Sequence, residues 1–178
     1  MRRSMSRPLP ELADPIRLCA GGSKFSGTLA LADFDRLRPS LVSDEGEVSF
    51  TVEFEREAGG INAVRGTADT TLKLLCQRCA RPFDLPVHAK WQLGAVSSLA
   101  EADRLPEEYE PLLVGEEPTR LRDVLEDELL LAVPQVPRHP ESEACQPDPS
   151  GDDEQETGRD SPFAVLDELR TRDKDAGE

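Results

Sequence analysis

The sequence contains no long hydrophobic run, since its longest unbroken apolar stretch, 129–133, has five residues. A transmembrane helix needs about 20 apolar residues and the core of a signal peptide about 7–15, so neither is expected. Arg2 and Arg3 near the N-terminus are not followed by an apolar segment. The expected location is therefore the cytoplasm, with no membrane partner.

Histidines, aromatic residues and clustered basic residues are also scarce. The two histidines limit acid–base chemistry, and the sequence contains neither a glycine-rich phosphate loop nor a nucleophile elbow. The only dense group of basic residues is the three arginines within residues 1–7. Binding of RNA without specificity normally uses a basic patch with interleaved aromatic residues. The sequence thus predicts neither an enzyme nor a general RNA binder, although a small local RNA contact stays open.

Acidic residues, in contrast, are abundant and unevenly distributed. The chain has 36 acidic and 21 basic residues and a net charge of −15. Residues 1–90 hold 13 bases and 12 acids, whereas residues 101–178 hold 8 bases and 24 acids. A surface of this kind repels phosphate backbones and attracts basic partners.

Alternation of apolar and polar residues predicts strands in three segments, 48–54, 68–76 and 87–93. Short connections such as Gly59-Gly60 favour antiparallel pairing, because parallel strands need longer crossovers. The predicted fold class is therefore α+β. We expect an antiparallel sheet of about four to six strands that is packed by one long amphipathic helix.

That helix is predicted over residues 119–133 and ends before Pro134. Glu128 falls within its apolar stripe, so we expect it to be paired with a base or with backbone amides, or to lie at the rim. Its stripe consists of Leu121, Val124, Leu125, Leu129 and Ala132. The acidic residues on its opposite face, predicted to contact a partner, are Asp123, Glu126 and Asp127.

Weaker patterns complete the expected organisation. Apolar residues at Leu31, Phe34 and Leu37 predict a short helix that stops at Pro39, and residues 97–118 read as a long loop. Phe163, Leu166 and Leu169 form the stripe of a short helix that would dock on this chain or on a partner, with Phe163 and Leu166 as the predicted contacts. The expected segments are a loosely ordered N-terminal arm that could add an edge strand (1–27), the α+β domain (28–139), a disordered acidic linker (140–160), the docking helix (161–172) and a disordered tail (173–178).

Cysteine spacing supplies the sharpest chemical motif. Cys76 and Cys79 are separated by two residues at the expected tip of a hairpin, a geometry that structural zinc sites use. His139 and Cys145 would complete a Cys₂-His-Cys ligand set, although the 59 intervening residues are not diagnostic. Packed structural cysteines and a redox motif stay open as alternatives.

Basic residues flank this motif. Arg78 and Arg81, with Lys73 and Lys90, form the one basic grouping in the middle of the chain. They would contact a phosphate or an acidic partner, or they would pair with the surplus carboxylates of the protein itself, which the composition favours.

Four blocks of the sequence, in order, resemble the signature of the YceD-like family of large-ribosomal-subunit RNA accumulation proteins. The blocks are 75–83, 105–111, 124–132 with Pro134, Pro137 and His139 after it, and 161–166. Some relatives carry more cysteines where this chain has His139 and Cys145. The resemblance implies a bacterial or organellar cytosolic protein that acts in synthesis, processing or stability of large-subunit (23S) rRNA, and it supplies no catalytic residue.

Charge and resemblance together yield the leading hypothesis, a non-enzymatic ribosome biogenesis factor. It would act as an acidic adaptor for a basic ribosomal protein or rRNA-processing factor, and would reach the rRNA directly or through that partner. The alternative is direct RNA binding by a zinc-braced hairpin that presents Arg78 and Arg81. A thiol oxidoreductase is the third hypothesis.

Overall fold

A computed structural model describes residues 8–140, which form a five-stranded sheet, a separate two-stranded sheet and three helices. The strands are β1 (Leu12–Ala13), β2 (Lys24–Ala30), β3 (Glu47–Arg56), β4 (Asn62–Leu75), β5 (Pro82–Val96), β6 (Glu110–Leu113) and β7 (Thr119–Arg120). The helices are α1 (Pro15–Ala20), α2 (Leu99–Ala102) and α3 (Leu121–Ala132).

The larger sheet has the strand order β2-β3-β4-β5-β6. The first three pairings are antiparallel, but β6 runs parallel to β5. This α+β arrangement agrees with the predicted class, except that the sheet is mixed. The connection between β5 and β6 is long enough to return the chain to the same end of the sheet, which a parallel pairing requires.

Alternate residues of β3, β4 and β5 form one apolar face, so the three strands predicted from the two-residue period are confirmed. Phe50 lies opposite Ala68, and Ala68 lies opposite Ala89. Gly66 is paired with Trp91, and a Cβ at Gly66 would lie 2.0 Å from Cζ2 of the indole. Small residues in β4 therefore make room for the large ring of β5.

Helix α3 packs against this face, and Leu121 and Leu125 line a narrow apolar gap with Phe54 and Trp91. The helix has 12 residues and is shorter than the predicted 119–133. It begins two residues later because Thr119–Arg120 pairs with Leu12–Ala13 as a small sheet.

The connection between β2 and β3 contains no α-helix. Leu31, Phe34 and Leu37 are fully buried, but they lie in and beside two 3₁₀ turns, Leu31–Asp33 and Arg38–Ser40. The predicted helix is therefore wrong. A spacing of three residues fits the three-residue turn of a 3₁₀ helix as well as it fits one face of an α-helix.

Residues 97–118, predicted as a loop, contain α2 and β6. Tyr109 anchors this segment, since its hydroxyl donates a hydrogen bond to Glu57 Oε2 at 2.5 Å and accepts one from Arg65 Nη2 at 3.1 Å. The hydrogen bond to the Glu57 carboxylate raises the pKa of Tyr109. A buried aromatic ring thus holds the crossover that places β6.

The described part of the predicted N-terminal arm is ordered. Asp14 caps α1 by accepting hydrogen bonds from the amides of Ile16 and Arg17, and Cys19 is buried. The predicted boundary at residue 28 falls inside β2, because residues 24–30 form the edge strand. None of the helices within residues 8–140 has the length and apolarity needed to span a bilayer.

Residues 141–178 lie outside the described residues. All but the first residue of the predicted acidic linker, together with the docking helix and the tail, therefore stay sequence predictions.

Candidate functional site

The turn between β4 and β5 brings the two cysteines of the CxxC motif together. The amide of Cys76 donates to the carbonyl of Arg81 at 2.9 Å, and the amide of Ala80 donates to the carbonyl of Cys76 at 2.9 Å. Ala80 has a φ of +53°, a conformation that closes the turn. These bonds hold the thiols of Cys76 and Cys79 on one side of the hairpin tip.

His139 reaches the same tip from the end of α3. Pro134 prevents the helix from continuing, and the carbonyl of Pro137 then accepts a hydrogen bond from the amide of Gln77 at 2.8 Å. The imidazole packs on Phe83 with ring centroids 4.9 Å apart. Its Nδ1 atom lies 3.4 Å from Cys79 Sγ.

Three of the four residues predicted to bind a metal therefore converge. The possible ligand atoms of Cys76, Cys79 and His139 all lie within 4.8 Å of one another. Both cysteines are buried, with exposed fractions of 1% and 6%. The fourth predicted residue, Cys145, lies outside the described residues.

The thiols differ in their electrostatic surroundings. Burial acts to raise the pKa of Cys76, but hydrogen bonds from the backbone amides of His139 and Arg78 outweigh it and hold the pKa well below its ordinary value. Burial raises the pKa of Cys19, which lies on α1, to about 11. Cys76 is therefore a better candidate for a thiolate than Cys19.

The basic residues around the hairpin are exposed. Within residues 8–140, none of Lys73, Arg78, Arg81 and Lys90 forms an ion pair. Pairing with the protein's own carboxylates, which the composition favoured, is therefore not observed in this part of the chain.

The acidic face predicted on α3 is largely occupied by contacts within the protein, and Glu126 is not a surface residue. It is 3% exposed, and its Oε1 atom accepts hydrogen bonds from the amides of Arg36 at 2.7 Å and Leu37 at 3.0 Å. Its Oε2 atom pairs with Arg36 Nε at 3.0 Å. Glu126 is therefore excluded from the predicted partner contact, because the β2–β3 connection packs against this side of the helix.

Asp123 and Asp127 also contact Arg36. The Asp127 carboxylate lies 2.6 Å from Nη1, and the backbone carbonyl of Asp123 accepts from Nη2 at 2.9 Å. The carboxylate of Asp127 stays largely exposed. Of the three predicted acidic contacts, Asp127 and the half-buried Asp123 keep a side chain that reaches solvent.

Among residues 8–140, Glu128 is the acidic residue whose pKa lies furthest from its ordinary value. Its partial burial, together with the nearby carboxylates of Glu110 and Asp127, raises its pKa to about 7. Within residues 8–140 no lysine or arginine forms an ion pair with it. We call Glu110, Asp127 and Glu128 the acidic patch.

Sequence reasoning missed two residues of these sites, Arg36 and Glu110. Arg36 lies 90 residues before Glu126, and Glu110 belongs to a strand that the periodicity did not reveal. No local signal in the sequence connects either residue to α3.

Comparison with known proteins places this chain in a family. The family model of the large ribosomal RNA subunit accumulation protein YceD matches residues 64–170, which is more than half of the chain. The chain belongs to the YceD family. A YceD-family relative from Haemophilus influenzae, "Large ribosomal RNA subunit accumulation protein YceD", is 30% identical over 170 residues, covering 92% of this chain and 97% of its own length. No solved structure matches the chain.

Proposed function

We propose that this YceD-family protein is a ribosome biogenesis factor that supports the synthesis, processing or stability of 23S rRNA. The name of the Haemophilus influenzae relative describes accumulation of large-subunit rRNA, which supports this role. In the proposal the protein catalyses no reaction and works in the cytoplasm. It acts as an acidic adaptor for a basic ribosomal protein or rRNA-processing factor.

The acidic patch is the observation that carries the adaptor role. Partial burial, together with the nearby carboxylates of Glu110 and Asp127, raises the pKa of Glu128. A lysine or arginine from a partner would relieve the repulsion and lower the pKa of Glu128. Asp127 already pairs with Arg36, so within residues 8–140 Glu110 and Glu128 are the carboxylates of the patch that a basic partner would pair with.

The excess of acidic residues in the second half of the chain also supports a basic partner. Residues 101–178 carry 24 acids against 8 bases, so a basic protein would be attracted at long range and held by local pairs. Attraction of this kind is screened by salt. We therefore expect the complex to weaken as the ionic strength rises.

An affinity capture of the full-length protein from a lysate treated with ribonuclease tests the adaptor role. We expect direct capture of a basic ribosomal protein or processing factor, with several-fold less recovered by the double variant Glu110→Gln/Glu128→Gln. The matched control Glu45→Gln/Asp84→Asn removes two exposed charges outside the patch and should capture as the wild type does. Equal capture by both variants, or recovery of RNA with no basic protein, would contradict the proposal.

Direct RNA binding by the hairpin is the second candidate, favoured by Arg78 and Arg81, which are exposed and form no ion pair within residues 8–140. The same capture without ribonuclease separates the two candidates. If the hairpin contacts RNA, Arg78→Ala/Arg81→Ala should lower RNA recovery and flatten its salt dependence. The control Arg56→Ala/Arg104→Ala removes the same charge elsewhere and should change neither. An acidic adaptor would respond to the carboxylate variant and scarcely to the arginine variant.

A further inference from the structure

We propose that Cys76, Cys79 and His139 bind one zinc ion, which fixes the segment after α3 to the β4–β5 hairpin. The site stands independently of the proposed function, because its test measures metal content and not a partner. Its basis is the convergence of three ligands from two distant parts of the sequence.

The distances suit a tetrahedral ion. Ligand atoms around zinc, at about 2.3 Å for sulfur and about 2.0–2.1 Å for nitrogen, lie roughly 3.5–3.8 Å from one another. Cys79 Sγ and His139 Nδ1 are 3.4 Å apart, and all three ligand atoms fall within 4.8 Å of one another. Shifts of about 1 Å, within the reach of small side-chain rotations, would bring them to one ion.

Backbone hydrogen bonds and one ring contact position the ligands in the absence of a metal. The amide of Arg78 points at Cys76 Sγ across 3.5 Å, so the turn already directs a donor toward the sulfur that would carry negative charge. The bond from Gln77 to the carbonyl of Pro137 sets the position of His139 two residues later. The packing of His139 on Phe83 then orients the ring. Cys76 and His139 thus each have a support that does not itself bind the ion, which metal sites require of their surroundings.

The same geometry disfavours a redox role for the motif. A thiol oxidoreductase places its CxxC at the start of a helix, whereas residues 76–81 join two strands and contain no helix. Both thiols are buried, so a protein substrate could not reach them. Two thiolates and an imidazole, in contrast, are soft and borderline ligands that select zinc over magnesium or calcium.

The three described ligands carry the proposal. Zinc takes four ligands in structural sites. Cys145, predicted as the fourth from the sequence, lies outside the described residues and stays a sequence prediction.

Elemental analysis of the full-length protein, purified under reducing conditions without chelator, tests the site. We expect about one zinc per chain in the wild type and less than about 0.1, a tenfold loss, in Cys79→Ser and in His139→Ala. Cys19→Ser is the matched control. It changes a buried thiol that lies outside the CxxC motif and donates a hydrogen bond to the carbonyl of Ala63, and it should keep the full zinc content.

A second measurement does not depend on the folding of any variant. Wild-type protein is stripped with a chelator and titrated with zinc alone, while hydrogen exchange is followed by mass spectrometry. We expect one equivalent to bind and to slow exchange at least tenfold at the amide of Gln77, with little change in α1. The proposal would be overturned by less than about 0.1 zinc per chain in both experiments, by an intramolecular Cys76–Cys79 disulfide in place of metal, or by a Cys79→Ser variant that keeps its zinc.

Discussion

Glu126 shows how a single residue can join distant parts of this chain. Among residues 8–140 it is the one charged side chain that is buried. A buried carboxylate is costly unless it is paired and hydrogen-bonded. Arg36 and the amide of Leu37 supply those partners. The β2–β3 connection is therefore attached to α3 through a buried carboxylate, and loss of either partner would destabilise the fold.

Replacement of Glu126 by alanine should therefore destabilise the protein. The change leaves the amides of Arg36 and Leu37 without their acceptor, and we expect the free energy of unfolding to fall by about 2–4 kcal/mol. Denaturant unfolding measures this value. Asp123→Ala is the matched control, since Asp123 contacts Arg36 through its backbone carbonyl, and it should cost less than about 0.5 kcal/mol. Equal losses in the two variants would refute this account.

Glu128 supplies a pH-dependent prediction at the same scale. Its folded-state pKa of about 7 lies above the ordinary 4.5, so its contribution to stability is complete below about pH 4.5 and is lost as the pH rises through 7. Glu128→Gln removes this loss. Between about pH 5 and about pH 8 the wild type should lose about 1 kcal/mol more than the variant, a value reduced for solvent screening. Thermal or denaturant unfolding at the two pH values checks it, and Glu116→Gln should behave as the wild type.

At the scale of elements, the pairing of β4 with β5 depends on the absence of a side chain at Gly66. A Cβ there would overlap the Trp91 indole, with the nearest carbon at 2.0 Å. Trp91 is also the only tryptophan of the chain, so its fluorescence reports on this contact. The two strands form the longest ladder of the sheet, and α3 packs on the same ring.

Gly66→Ala should consequently lower the free energy of unfolding by about 1–3 kcal/mol, because the ring or the strand must shift. Tryptophan fluorescence should change in the folded state as well. Gly115→Ala is the control, since nothing lies within 4 Å of its added Cβ and its φ is not left-handed. A Gly66→Ala variant as stable as this control would show that the ring has room to move.

At the scale of the whole molecule, the sequence predicts those strands whose apolar residues recur at a regular spacing. The two-residue alternation identified β3, β4 and β5, since each presents one face to a single core. The ligand convergence at Cys76, Cys79 and His139 was also predictable in outline, because thiols and imidazoles are few in this chain. The first inference uses the spacing of apolar residues, and the second uses residue types that few positions of the chain offer.

Features that depend on packing against a distant segment of the chain could not be predicted from the sequence. A helical wheel places Glu126 opposite the apolar stripe, and only the packing of a segment 90 residues away makes that position buried. β6 has no buried residue within Glu110–Leu113, so no alternation marks it as a strand. These features arise from tertiary packing, which overrides local pattern.

The separation of 60 residues between Cys79 and His139 also bears on how the chain is made. At about 5–20 residues per second, translation delivers the hairpin roughly 3–12 s before His139 leaves the ribosome. During that interval the two thiols have no imidazole beside them and are open to oxidants. The hairpin tip is thus covered late in synthesis, and a nascent chain stalled before Pro137 would lack both the imidazole that lies beside Cys79 and the His139 amide that lowers the pKa of Cys76.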